Sequence, residues 1–311
     1  MFKFIEPEMI NRLIVGVLQY LPKDFVWIFS KRYIAGKELN NAVHVTRRLN
    51  SLGVKATMDL LGEFLTRAEK VNYYKKEYIR LIEESVAKGL DNSFSVKPTM
   101  FGLLLDVEMC YSNLREIVSK AASFKRFVRI DMEDSQCTDM EISIYKRLLI
   151  EFPNHVGLVL QSYLKRTMDD LKDLVAFDEG RGLINIRLCK GIYNEPEQMA
   201  YKNKDEINRN FLIDLEYMFL NKIYPAIATH DKKLIQGAYR LIDKYRAESD
   251  RFEFQMLYGV TPELRKSIVG KGFIMRVYVP YGKDWFNYST RRLKENPSMI
   301  THMIKALFIR G

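Results

Sequence analysis

Short β-rich runs alternate with helix-period stretches along most of this chain. The runs are VKATMDLL (54–61), SFSVK (93–97), RFVRID (126–131), HVGLVLQ (155–161), LINIRLC (183–189), YPAIATH (224–230), RFEFQML (251–257) and FIMRVYVP (273–280). Between them, apolar residues recur at helical spacing, as in NFLIDLEYMFLNKI (210–223) and KKLIQGAYRLIDKYR (232–246). Eight strand-helix alternations over roughly 255 residues predict a (β/α)8 TIM-type barrel of the α/β class. No Pro/Gly/Ser-rich tract interrupts the pattern. The expected organisation is an N-terminal helical extension over 1–52 and one barrel over 53–311.

Each run carries polar residues at or near its end. Asp59, Lys97, Asp131, Gln161, Arg187 with Lys190, Thr229 with His230, Gln255 and Tyr278 all fall there. In barrels the C-terminal ends of the strands form the active-site face. Each residue alone has a bland reading: Asp131 could cap the next helix, Gln255 could bond inside the barrel, Lys97 could simply end a strand. Eight such coincidences favour a convergent site.

Composition narrows the class. Hydrophobic residues make up 47% and charged residues 28%, as in soluble globular proteins. Net charge is +10, which suits anionic partners. The basic residues are scattered and form no nucleic-acid motif, so nucleic acid is not the expected partner. Three cysteines (Cys110, Cys137, Cys189) read as reduced thiols in a cytoplasmic compartment. Residues 1–8 carry Glu6 and Glu8 and do not read as a secretion signal. The longest apolar runs fall short of the ~20 residues that span a bilayer.

The charge pattern suggests a ligand. Lys97, Arg187, Lys190, Arg291 and Arg292 are expected to face Asp59, Glu63, Asp131, Glu133 and Glu295. After the eighth run, Tyr288, Arg291, Arg292 and Glu295 are spaced to share a helical face. Either this is a solvated surface helix, or paired guanidinium groups clamp a carboxylate or phosphate over the barrel mouth. The chain has no HExxH, no GxSxG and no GxGxxG, so a dinucleotide would not be held in the Rossmann manner. From composition and spacing alone the reading stops at an anion-binding barrel.

The ordered motifs DLLGE (59–63), SVK (95–97), IDMED (130–134), LQSYLKR (160–166), RLCKGIY (187–193), PAIATHD (225–231), FEFQMLYG (252–259), RVYVPYG (276–282) and YSTRRLKEN (288–296) make the chain similar to the proline dehydrogenases. That resemblance, to the bacterial monofunctional type, implies a distorted (β/α)8 barrel with FAD across the strand ends. It implies oxidation of L-proline to Δ1-pyrroline-5-carboxylate by hydride transfer from C5 to flavin N5, with electrons passed to a quinone. By motif, Lys97, Arg291 and Arg292 would bind the substrate carboxylate, with Tyr278 against the ring and Leu257 as an apolar wall. Asp131 would orient the cationic and phenolic groups, and Arg187 would approach the flavin. Met132, Gln161, Lys190, Gly191, Ile192, Thr229 and His230 would line the FAD site, with Glu295 a stabilising partner. The family often has Ala at the position of Ile192, so Ile192 is expected either to narrow the pocket or to shift the substrate ring. Tyr278 favours proline over hydroxyproline.

Alternatives remain at this stage. A Schiff-base aldolase could use Lys97 or Lys190 as nucleophile, a related imino acid such as hydroxyproline could be the substrate, or the barrel could only bind an anion. His230 could be a buried structural histidine, and His44, His155 and His302 have no motif support. Residues 10–21 carry an apolar stripe at helical spacing, with FVWIF (25–29) and Lys31 and Arg32 following. The stripe packs on its own domain or touches the inner face of the membrane that holds the quinone.

Overall fold

The structure is a computed structural model that describes residues 23–286 and 288–290. Eight parallel strands pair in sequence order and close into a barrel: β1 Lys55–Leu60, β2 Asn92–Val96, β3 Val128–Ile130, β4 Val156–Gln161, β5 Asn185–Cys189, β6 Tyr224–Ala228, β7 Glu253–Leu257 and β8 Met275–Tyr281. The closing register sets Thr57 beside Tyr278 and Asp59 beside Pro280. Each predicted run therefore corresponds to one strand, mostly trimmed at its ends, although β2 begins one residue before its run, at Asn92, and β8 continues one residue past its run, to Tyr281. The largest trim is at RFVRID, where only Val128–Ile130 pairs. Its first residue, Arg126, instead closes the preceding helix by donating its N–H to the Ala121 carbonyl.

Helices α1 Lys23–Ser30 and α2 Leu39–Asn50 precede the barrel strands. Then come α3 Ala68–Ala87, α4 Val107–Ser123, α5 Thr138–Glu151, α6 Thr167–Asp178, α7 Lys204–Leu220, α8 Lys232–Tyr245 and α9 Pro262–Gly270 around the sheet. Capping sets several of their bounds. Asn203 accepts from the Asp205 and Glu206 N–H groups, so α7 starts six residues before its apolar periodicity does. Asp231 caps α8 by accepting from the Lys233 N–H, and Arg246 ends that helix in the left-handed region, at φ 49°.

Strand alternation splits the barrel into two environments. Met58, Phe94, Val128, Ile130, Leu158, Leu160, Ile186, Leu188, Phe254 and Val277 are buried in the apolar layer that packs against the helices. Their alternates Asp59, Ser95, Arg129, Arg187, Glu253 and Gln255 are also buried, and they meet one another across the barrel interior. Barrel interiors are usually filled by branched apolar side chains. This one is filled by a hydrogen-bonded polar network, which must satisfy nearly every member to be tolerated.

In the N-terminal region, Val26 is fully buried, and the Trp27 ring lies 4.7 Å from that of Trp285 with Lys37 Nζ 4.9 Å above it. This part of FVWIF packs on its own chain. The apolar stripe at 10–21 lies outside the described residues. Among those residues no helix is long and apolar enough to cross a membrane.

Candidate active site

The strand C-termini surround a cavity of about 570 Å³. Twelve of the residues given a role by motif line it: Lys97, Asp131, Met132, Gln161, Arg187, Lys190, Gly191, Ile192, Thr229, His230, Leu257 and Tyr278. Arg291, Arg292 and Glu295 lie outside the described residues. The helical turn that leads to them does bring Tyr288 to the cavity wall.

At the floor of this cavity, β1, β2, β3, β5, β7 and β8 contribute one connected network. Lys97 follows β2 and is 8% exposed; its Nζ donates to both Asp59 oxygens, at 2.8 and 3.0 Å, and lies 3.4 Å from the Tyr278 hydroxyl. Tyr278 donates to Asp131 Oδ2 at 3.0 Å. The other Asp131 oxygen accepts from Arg187 Nη1 at 2.7 Å and from the Ser95 hydroxyl. Arg187 Nε donates to Gln255 Oε1 at 2.6 Å, and the guanidinium lies 5.3 Å from the centre of the Tyr278 ring. Asp131 thus fixes a cation and a phenol with its two oxygens.

Burial decides the protonation states. Removal from water pushes the Asp59 carboxyl up, and the Lys97 ammonium opposes that shift. For Lys97, burial alone would lower the pKa, but the Asp59 and Asp131 carboxylates outweigh it and hold the ammonium above its ordinary range. Tyr278 is pushed well above the ordinary phenol value by burial and by Asp131 and Asp59, so it stays a neutral donor. Lys97 is therefore a fixed positive charge at neutral pH, poorly suited to be an amine nucleophile. The other aldolase candidate, Lys190, pairs with Asp231 at 2.6 Å, a partner that sequence spacing did not single out.

The remaining wall is set by loops. Gly191 has φ 110°, and a Cβ there would lie 2.0 Å from the Tyr163 ring, so the RLCKGIY turn requires glycine. Ile192, beside it, is 44% exposed and sits at the rim of the cavity. His230 Nε2 accepts from the Leu257 N–H at 2.8 Å, tying the end of β6 to the end of β7. Gln161 Nε2 donates to the Glu133 carbonyl at 2.9 Å. The Glu133 carboxylate accepts from the Thr99 N–H at 2.8 Å and the Thr99 hydroxyl at 2.6 Å. It therefore anchors the turn just after Lys97.

Asp59, Gln255 and Tyr288, flagged by strand-end position or helical spacing but given no role by motif, also belong to the site or its support, as do Ser95 and Tyr193, which had been given no role. For Asp59, Ser95 and Gln255 the signal was available, since each shares strand parity with a residue that was assigned: Asp59 with Thr57 beside Tyr278, Ser95 with Lys97, Gln255 with Leu257. Nothing local marks Tyr193.

The chain is similar to known proteins over most of its length. The family model described as "Proline dehydrogenase" matches residues 42–304. The chain is 37% identical over 280 residues to Proline dehydrogenase 2 of Bacillus subtilis, covering 90% of each chain. It is 33% identical over 294 residues to Proline dehydrogenase of Deinococcus radiodurans, covering 93% of each. Among solved structures, proline utilization A (PutA) from Bdellovibrio bacteriovorus, inactivated by N-propargylglycine, superimposes with a TM-score of 0.80 at 26% identity. That match covers 86% of this chain and 32% of the longer PutA chain. On the match of the family model across most of its length, and on these relatives, the chain belongs to the proline dehydrogenase family.

Proposed function

We propose that this protein oxidises L-proline to Δ1-pyrroline-5-carboxylate with FAD as its cofactor and a quinone as electron acceptor, the first step of proline catabolism. Residues 53–311 form the catalytic unit in this reading and 1–52 an extension. The observation that carries it is the buried Asp59–Lys97–Tyr278–Asp131–Arg187 network at the floor of the strand-end cavity.

The residues present fit a flavin. Arg187 Nη2 is buried with no hydrogen-bond partner among the described residues, a donor left for an acceptor that those residues do not supply. The cavity size falls in the range of cofactor sites. Lys190, Gly191, Ile192, Thr229 and His230 form the wall that would hold the cofactor, with Met132 and Gln161 opposite. When bound, the flavin supplies the hydride acceptor.

The chain's own residues do the positioning. The Lys97 ammonium, joined by Arg291 and Arg292, receives the substrate carboxylate as a charge-assisted contact. Tyr278 packs against the ring and stays fixed because Asp131 accepts its proton donor. Leu257 closes the apolar side. Arg187 keeps a positive charge beside the redox centre, which favours its anionic reduced form. Tyr278 stays a phenol and Lys97 an ammonium, so neither serves as a base, and in this reading the substrate amine loses its proton to solvent. Orientation supplies the catalysis. The test is anaerobic titration of the purified protein with L-proline. Bleaching of a bound flavin spectrum, released as free FAD on denaturation, is the expected result. A protein that neither holds nor takes up flavin overturns the proposal.

A further inference from the structure

A second cavity, of about 140 Å³, lies below the first, at the N-terminal ends of the strands. Arg129 from β3, Arg276 from β8, Glu253 from β7 and Tyr224 from β6 face it, and Arg187 and Gln255 line both cavities. Three guanidinium groups therefore line one small space. Glu253 is bonded to Arg276 Nε at 2.8 and 3.1 Å, and Asp131 neutralises Arg187. Arg129 has no carboxylate bonded to it among the described residues and feels Glu253 only through space. Its acceptors are the Leu158 carbonyl at 3.0 Å, the Asn185 carbonyl at 2.7 Å and Asn185 Oδ1 at 2.5 Å, all neutral. The Phe127 ring stacks 4.9 Å from it, and its Nε is buried with no partner among the described residues.

The fold makes room for this cation rather than tolerating it by accident. A Cβ at Gly157 on β4 would lie 2.4 Å from Arg129 Nη1, so the strand is stripped of a side chain where the guanidinium sits. Arg129 is 3% exposed, and an unpaired buried charge costs several kcal/mol unless compensated. Burial first, and then repulsion from Arg187, push its pKa down to about 9, so it remains charged at neutral pH. Water could satisfy the Nε donor but would leave three cations against two carboxylates.

We propose that this lower cavity binds a small monovalent inorganic anion of halide size, bonded to Arg129 Nε and balancing the barrel interior. The site lies apart from the substrate cavity and does not depend on the reaction assigned to that cavity. Through Arg187, which borders both spaces, anion occupancy would bear on the placement of the upper cation.

Two measurements on the flavin-loaded full chain test this. Crystals grown in sodium bromide are expected to show an anomalous peak within hydrogen-bond reach of Arg129 Nε. In solution, thermal stability is expected to rise saturably with bromide or chloride relative to sodium gluconate at equal ionic strength, since gluconate is too large for the cavity. In Arg129→Met the saturable rise disappears. Water alone in the lower cavity, bromide only beside Lys97 in the upper one, or a wild-type response identical in gluconate overturns the proposal. The wild-type measurements decide by themselves should the variant fail to fold.

Discussion

Asp131 is the residue on which the upper site turns, because each of its carboxylate oxygens serves a different partner. One holds Arg187 and Ser95 and the other holds Tyr278. Losing a single charge-assisted bond costs about 1.5–3 kcal/mol, or roughly ten- to a hundredfold in an equilibrium or rate constant. Asp131→Asn keeps the shape and loses the charge. Its amide nitrogen would also meet either the Arg187 donors or the Tyr278 hydroxyl, so one contact must break. We expect kcat/KM for L-proline to fall by at least roughly tenfold, with KM rising as Tyr278 loosens and kcat falling as Arg187 shifts. Steady-state kinetics at matched flavin content measure both. Unchanged constants would mean that the Asp131 network is scaffolding and does not touch the reaction.

At the scale of elements, β3 and the turn after β2 are joined by buried carboxylates. Glu133 accepts two bonds from Thr99, while its own N–H donates to Glu141 of α5 at 3.1 Å. Burial pushes Glu133 up to about 7, and burial together with Glu133 pushes Glu141 well above the carboxylate range. The ordinary value for Glu133 is 4.5. The folded state therefore holds a proton that the unfolded state has lost between pH 4.5 and about 7. The stability this contributes is complete below 4.5 and is lost as pH rises through 7, a span worth about 3 kcal/mol. Glu133→Gln removes the titration and can still accept from the Thr99 N–H and donate to its hydroxyl. The variant should melt above wild type at pH 8, and the gap should close towards pH 5. A gap that does not change with pH would show that Glu133 is not the group that titrates. Sequence alone could not reach this linkage. The period-2 and helical patterns placed every strand, because burying an apolar layer under helices leaves a strong alternation. They did not separate the inward polar ladder into its upper and lower halves. Which of two same-parity residues meets which partner depends on barrel stagger, as when Arg187 of β5 bonds both Gln255 of β7 and Ser95 of β2. Glu133 illustrates the limit: charge counting assigned it to the cations, while three-dimensional packing gave its carboxylate to Thr99.

For the whole molecule, the strands are tied directly to one another, so the barrel does not need its cofactor to close. The β8–β1 register is continuous from Lys55 to Leu60, and the polar ladder crosses the interior through protein groups alone. The flavin should therefore add stability by mass action without being a folding requirement. A ligand at a hundred times its Kd that binds only the folded state stabilises by about 2.7 kcal/mol. In a chain of 311 residues that corresponds to a Tm rise of roughly 4 °C. Protein stripped of flavin should keep its far-ultraviolet dichroism, melt several degrees lower, and recover on titration with FAD along a saturable curve. A competitive proline analogue carrying the carboxylate should add a further rise only in the flavin-loaded form, because in the proposed reading its ring would stack on the cofactor while Lys97 would hold its anion. Arg291→Met should shrink that second rise and leave the first intact, which separates the carboxylate clamp from the cofactor wall. If the stripped protein melts at the same temperature with and without saturating FAD, the cavity at the strand ends is not where the flavin binds.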